Sequence, residues 1–172
     1  MIIKVTKAQL AHAFLVANEM DAEDPKTGSQ AYWKNAYKRH FIGNVAECAV
    51  ANFLEIEPTY TSDWRSNKCD LTYHGATINV KATSRPNGNL ITDESVYIRE
   101  KILVLVRNVQ LDSMYEQNVD VCGWCLTRDH QTDKRVRTVN TRKGTGEKHF
   151  TPAEMLWAPE LLWQIRAQEE PA

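Results

Sequence analysis

Long apolar runs are missing from the sequence, and none approaches the roughly 20 residues that a membrane span needs. The first residues, MIIKVTKAQLAHAF, also lack the apolar core and cleavage site of a signal peptide. Positive charge is not in excess either, because 21 Lys and Arg residues face 22 Asp and Glu residues and give a net charge of −1. We therefore expect a cytoplasmic protein without membrane contact, in which any nucleic-acid partner must meet a local basic surface.

Cysteine is scarce, and the four residues form only one close pair, Cys122-Gly-Trp-Cys125. This spacing suits redox chemistry or half of a zinc site. The surrounding segment has a strand pattern, however, and residues three apart on a strand point to opposite faces. Cys48 and Cys69 supply no second Cys-x-x-Cys half for a zinc site. We expect structural thiols in a reducing cytosol.

What is present is a chain of 172 residues, 42% of them hydrophobic, which is enough for a single domain spanning 1–172. A capping box, Thr6-Lys7-Ala8-Gln9, predicts a helix to about Met20. A loop should follow over Asp21–Ser29, because this stretch contains Asp, Pro and Gly. Further helices are expected over Gln30–His40, Asn44–Leu54 and from Thr151-Pro152 onward, the last with Leu156, Trp157, Leu161 and Ile165 on its apolar side.

The middle of the sequence has the patterns of strands. Cys69–Tyr73 and Ala76–Thr83 alternate apolar and polar residues around His74-Gly75, which predicts a hairpin. Lys101–Val109 contains an apolar run typical of a central strand, and Val119–Leu126 predicts one more. Helices, a mostly consecutive sheet and a final helix indicate an α/β or α+β fold, with a central mixed β-sheet flanked by helices.

The hairpin brings chemistry-bearing residues together. A two-residue turn at His74-Gly75 pairs Asp70 with Asn79, and Lys81 then lies on the same face, two residues further along. Asp70 can bind a hard cation such as Mg²⁺, with Asn79 and the Val80 carbonyl as further oxygen ligands. The ammonium of Lys81 can orient water or stabilise charge on a phosphate. The alternative is a surface Asp–Lys ion pair of about 0–1 kcal/mol.

Glu47 strengthens the first interpretation. It lies at the border of the apolar stripe of the Asn44–Leu54 helix, from which it could reach over the sheet edge to the same cation. The run Ile42-Gly43-Asn44-Val45-Ala46-Glu47, followed by Cys69-Asp70-Leu71 and Ile78-Asn79-Val80-Lys81, resembles the PD-(D/E)XK nuclease superfamily. It is most similar to archaeal Holliday-junction resolvases and small bacteriophage nuclease-like proteins. The resemblance covers about a quarter of the chain, residues 39–83.

The resemblance implies a restriction-endonuclease-like core and metal-dependent hydrolysis of DNA phosphodiester bonds. By position, Asp70 is the main ligand of Mg²⁺ or Mn²⁺, Glu47 is the helix acid and Lys81 is the catalytic lysine. Asn79 stands where the superfamily usually has a second acid, which removes one negative charge from the ligand set. Two interpretations follow: an active amide-variant endonuclease, or a catalytically weak or inactive nucleic-acid-binding or protein-interaction module with the same fold. Resolvases and many restriction enzymes are dimers, so the resemblance favours a homodimer.

A basic stretch lies near the end of the chain and is predicted to be a mobile loop or a weak hairpin. It supplies candidate DNA-backbone contacts, with a merely solvated loop as the alternative; the candidates are Lys134, Arg135, Arg137, Arg142 and Lys143. Aromatic residues interleaved with bases over residues 32–40 form either a stacking surface or an ordinary helix that packs its rings inward. His130, beside Arg128 and Asp129, is expected in a surface turn.

Overall fold

The computed structural model of the chain describes residues 1–23, 36–58, 69–92, 102–110, 115–130, 136–141 and 144–165. The architecture is α+β, with helices packed on a five-stranded mixed sheet and a second sheet of three antiparallel strands. Within these ranges, no helix has both the length and the apolar character needed to cross a membrane. The predicted fold class is therefore confirmed, while the restriction-endonuclease-like core stays a prediction.

The elements follow one another along the chain with these bounds. The strands are β1 Ile2–Val5, β2 Leu71–Tyr73, β3 Ala76–Ala82, β4 Leu90–Thr92, β5 Ile102–Arg107, β6 Gln117–Leu126, β7 Val136–Thr141 and β8 Gly144–Thr151. The α-helices are α1 Lys7–Glu23, α2 Ala36–Leu54 and the short α3 Thr127–His130. Two 3₁₀ helices, Ala153–Met155 and Pro159–Gln164, follow β8.

The large sheet has the order β1-β6-β5-β3-β2, so the apolar strand β5 is central, as predicted. Only the β3–β5 pair is parallel. One face carries Ile78, Val80 and Val104 and packs with α1 and α2 in the main core. The other face carries Leu103 and Leu105, which form a smaller cluster with Leu90 of β4. Both faces of the central strand are covered, which explains its unbroken apolar sequence.

The first helix begins as its capping box predicts. The Thr6 backbone N–H donates to Oε1 of Gln9 over 3.0 Å, and the Gln9 backbone N–H donates to Oγ1 of Thr6 over 3.3 Å. The helix continues to Glu23, however, past the predicted stop at Met20 and into the predicted Asp21–Ser29 loop.

The second and third predicted helices are one helix, and their separation was wrong. Helix α2 runs through Gly43 without a break, and Gln30–Asn35 lie outside the described residues. A glycine in a helix interior costs about 1 kcal/mol. Burial of Phe41 and Val45 on either side of it offsets that cost.

Strand β6 contains a β-bulge that corrects the cysteine argument. Leu105 pairs with Gly123 but Val106 pairs with Val121, so Cys122 is the extra residue of the bulge. The shift brings Cys122 and Cys125 to the same small cluster rather than to opposite faces. All four cysteines lie in the described ranges and carry thiols rather than disulfides.

The predicted final α-helix is wrong. Thr151 is the buried last residue of β8 instead of a helix cap, and the segment after it forms the two 3₁₀ helices. Trp157 is held extended because its backbone exchanges hydrogen bonds of 2.8 and 3.1 Å with Trp124 of β6. Gly123 permits this approach, since a Cβ there would lie 2.5 Å from the Trp157 carbonyl oxygen.

The basic stretch forms the β7–β8 hairpin, which bears out the hairpin alternative of the prediction. Strand β4 completes the small sheet in the order β4-β8-β7. Neither β4 nor β1 was predicted, because three or four residues are too few to show a period.

Candidate functional site

The site begins at the β2–β3 hairpin, whose turn is as predicted and whose register is as predicted from Leu71 to Tyr73. The predicted pair of Asp70 with Asn79 is not part of this pairing. His74 and Gly75 have φ values of 46° and 77°, which suits a two-residue hairpin turn with positive φ at both positions. Leu71 pairs with Ile78 and Tyr73 with Ala76. Strand β2 is only three residues long, so Asp70 lies just before it, at the edge of the sheet.

The pairing with β5 assigns the polar residues of β3 to one face. Asn79 pairs with Leu103 and Lys81 with Leu105, so both share the face of the smaller cluster. Asn79 is 7% exposed and its amide oxygen is buried, whereas Lys81 is half-buried. The alternation along β3 therefore separates polar and core-facing side chains in the predicted way.

Asp70 is fixed by two backbone contacts to β3. Its N–H donates to the Ile78 carbonyl over 3.0 Å, and its Oδ2 accepts from the Val80 N–H over 2.6 Å. The N–H and C=O of one strand residue point to the same side. The Val80 carbonyl is therefore directed toward the edge at which Asp70 lies, as a cation ligand would need to be.

Glu47 reaches the site from α2, in the helix layer. Burial, reinforced by the negative charge of Asp70, raises the pKa of Glu47 to about 8 from the ordinary 4.5, and Lys81 opposes the shift. Burial also raises the pKa of Asp70, against the Val80 hydrogen bond and Lys81, which both lower it. The three charged groups are therefore close enough to influence one another's protonation.

An open position lies next to the Glu47 carboxylate. Gly43 is one helical turn earlier, and a Cβ built on it would lie 4.0 Å from Oε1 of Glu47. The Glu47 side chain therefore extends back along α2 over this glycine. Absence of a side chain at Gly43 keeps that side of the carboxylate accessible.

The predicted donor atoms around this carboxylate pair are all oxygen. Across the described ranges, no three side chains of His, Cys, Asp or Glu form a group that could hold a metal. The predicted ligands include two such side chains, Glu47 and Asp70, completed by the Asn79 amide and the Val80 carbonyl. An all-oxygen set fits Mg²⁺ or Mn²⁺ better than zinc.

Most of the predicted nucleic-acid contacts lie outside the described residues, and Arg137 is the exception. Arg137 is exposed on β7 and pairs across the hairpin with Lys148 of β8. Lys134, Arg135, Arg142 and Lys143 lie outside the described ranges, as do Tyr32 and Trp33 of the candidate stacking surface.

A second polar cluster was missed by the sequence analysis. His130 is fully buried, which contradicts the predicted surface turn. Its Nε2 lies 2.8 Å from Oγ1 of Thr92, and its Nδ1 lies 2.6 Å from Oγ1 of Thr151. Its neighbours Arg128 and Asp129 are polar, so no local pattern signals this burial. The histidine connects α3 to two strands of the small sheet.

Comparisons with protein-family models, with curated proteins and with solved structures find no match to this chain.

Proposed function

We propose that the protein is a divalent-metal-dependent endonuclease that hydrolyses DNA phosphodiester bonds at Glu47, Asp70, Asn79 and Lys81. The observation that carries the proposal is the meeting of two desolvated carboxylates, Glu47 and Asp70, beside Lys81. Bringing like charges together out of water costs folding free energy. Strongly perturbed carboxylates in contact with a specific charged partner are typical of functional sites.

A divalent cation would remove the repulsion and stabilise both ionised carboxylates. Asp70 offers its carboxylate, held in place by the Val80 N–H, and the Val80 carbonyl is directed toward the same edge. The amide oxygen of Asn79 is buried on the other face of β3, and Glu47 would complete the set from α2 at the sheet edge. When bound, such a cation polarises the phosphoryl group and lowers the pKa of water.

The protein's own groups then have distinct roles. Lys81 shares the Asn79 face of β3, from which its ammonium orients the attacking water and neutralises charge on the phosphate. Without a cation, the pKa of Glu47 near 8 keeps this carboxyl largely protonated at neutral pH, so that cation binding there would release a proton. The proposal includes a cytoplasmic location and a homodimer, the latter testable by sedimentation velocity.

Calorimetric titration with Mn²⁺, with cleavage of branched and linear DNA followed in parallel, tests the site. We expect binding by the wild type, loss of binding in Asp70→Asn, and tighter binding in Asn79→Asp because a carboxylate is added. Asp129→Asn on α3 is the matched control and should bind like the wild type. Equal Mn²⁺ binding by wild type and Asp70→Asn would refute the proposal.

Asn79 favours a second candidate, a nucleic-acid-binding protein that has lost cleavage. An amide in place of an acid lowers the ligand charge and leaves Glu47 and Asp70 as the carboxylates of the proposed set. Cleavage by Asn79→Asp but not by the wild type would select this candidate, whereas cleavage by both forms would select the enzyme.

A further inference from the structure

The small sheet has two faces of opposite character. Residues of its inner face, among them Leu90, Thr92 and Thr151, are buried against the large sheet or around His130. Residues of its outer face alternate with them along the strands and are partly or fully exposed. We call this outer set the outer patch; it consists of Ile91, Arg137, Lys148 and Phe150.

The register makes the outer patch continuous across all three strands. Arg137 of β7 is directly opposite Lys148 of β8, which places their Cβ atoms about 4.5–5.5 Å apart. Phe150 is two residues beyond Lys148 on the same face. Ile91 of β4 is directly opposite Phe150 and is 40% exposed. Two cations are thus followed by a partly exposed aromatic ring and an aliphatic side chain.

Two cations beside an aromatic ring favour a particular class of ligand. Two cations placed directly opposite on one face present neighbouring positive charges, to which phosphates can bind through charge-assisted hydrogen bonds. An aromatic ring beside such cations provides a surface on which a base can stack. The bases of a duplex are already stacked within it, so an accessible ring selects unpaired bases.

We propose that the outer patch binds single-stranded nucleic acid, with phosphates on Arg137 and Lys148 and a base stacked on Phe150 and Ile91. The inference deepens the proposed function, on which it rests for the expectation of a nucleic-acid partner, and it names an unpaired strand as the bound element. The exposed Trp157 and Trp163 do not form an equivalent surface, since Glu154 and Glu160 are the charged residues in their segment.

Fluorescence anisotropy in EDTA tests this binding separately from cleavage. The probes are labelled oligo(dT) and oligo(rU) of about 15 nucleotides, within the site sizes of such proteins, and a duplex of equal length. Phe150→Leu keeps an apolar side chain but removes the ring, and should weaken binding of the single strands about five-fold or more. Arg137→Gln should weaken binding and lower the slope of log K against log salt by about 0.7.

Arg128→Gln is the control for charge, because Arg128 is a basic residue of α3 and is not part of the outer patch. Thermal unfolding of each variant establishes that it is folded. Comparable losses with oligo(dT) and oligo(rU) support stacking on unpaired bases, and a larger loss with one of them identifies the preferred sugar. Wild-type affinity in a folded Phe150→Leu, or equal loss of duplex and single-strand binding, would overturn the inference. If the wild type binds single strands but does not cleave DNA in the presence of Mn²⁺, that result would instead count against the proposed function alone.

Discussion

The described part of the chain contains two buried polar clusters that differ in their chemistry. At the first cluster, each ring nitrogen of His130 lies within hydrogen-bond distance of a threonine hydroxyl, at 2.8 Å for Thr92 and 2.6 Å for Thr151. At the second, Glu47 and Asp70 repel each other, and burial raises the pKa of both. The first is held by hydrogen bonds, and the second consists of carboxyl groups whose ionised forms are disfavoured by burial.

The difference separates a structural connection from a candidate site. A buried polar group stabilises a fold when its hydrogen bonds are made within the protein. Two desolvated carboxylates destabilise the fold until a ligand or a proton neutralises them. The histidine cluster should therefore determine stability, whereas the carboxylate cluster should determine cation binding and catalysis.

The largest effect is expected at the second cluster, for cleavage by Lys81→Ala. Loss of a group that stabilises transition-state charge should lower the cleavage rate about 10²–10³-fold. Because Lys81 is half-buried near the sheet edge, stability should change little by comparison. Cleavage assays and thermal unfolding measure the two effects, and Lys7→Ala at the start of α1 is the control. Wild-type cleavage by Lys81→Ala would remove the lysine from the mechanism.

At the histidine cluster, His130→Ala should lower the free energy of unfolding by about 2–4 kcal/mol. The change leaves a cavity and removes the partners of two buried hydroxyls. Urea unfolding measures the loss, and Arg128→Ala on the same short helix is the control because Arg128 is exposed. Mn²⁺ affinity of the folded variant should stay that of the wild type. A loss of Mn²⁺ binding in folded His130→Ala would show that the clusters are not independent.

A smaller effect concerns the pH dependence of stability in Glu47→Gln. The raised pKa of Glu47 means that its protonated form is favoured in the folded state. Its contribution is complete below the unfolded pKa of 4.5 and is lost as pH rises toward about 8. Glu47→Gln should therefore gain stability relative to the wild type across this window, with the gain levelling off above it.

Thermal unfolding between pH 4 and pH 9 measures this difference, with the exposed Glu19→Gln on α1 as control. Excess Mn²⁺ should reduce the loss in the wild type and have less effect on Glu47→Gln, because the cation stabilises the ionised carboxylate. If the stability of wild type and Glu47→Gln changed with pH in parallel, the raised pKa of the Glu47 carboxyl would be contradicted.

The smallest effect is expected at Cys122, a third polar group, which is partly buried. Burial, together with Asp120, raises the pKa of the Cys122 thiol to about 12. Its thiolate is therefore scarce at pH 8, and alkylation by iodoacetamide should be slower than in the unfolded chain. Mass spectrometry of the modified residue measures this rate. Equal rates in the folded and unfolded protein would show that the thiol is not desolvated.

Local chemistry explains which features were predictable from the sequence. The hairpin register depends on His74-Gly75 and on alternation within a few residues, so the pairing of β2 with β3 and the shared face of Asn79 and Lys81 could be assigned in advance. The capping box of α1 is equally local. The central position of β5 follows from its apolar run, because only a strand covered on both faces is apolar throughout.

The features that were missed depend on contacts between distant segments. His130 is buried because β4 and β8 supply its hydroxyl partners, and neither is near it in sequence. Trp157 is kept out of a helix by pairing with Trp124. The bulge at Cys122 lies beside Gly123, at which that distant segment approaches closely. Periodicity describes one segment at a time and contains no such information.

The pairing of β1 with β6 has a consequence for the order of folding. Ile2 pairs with Asp120, so β1 can enter the sheet only after its partner strand β6 has been synthesised. Such non-local closure slows folding and raises the contact order of the chain. During synthesis the β2–β3 hairpin can form from adjacent residues, while the exposed edge of β1 is open to pairing with other chains. The large sheet is therefore completed at its β1 edge only after β6 has emerged from the ribosome.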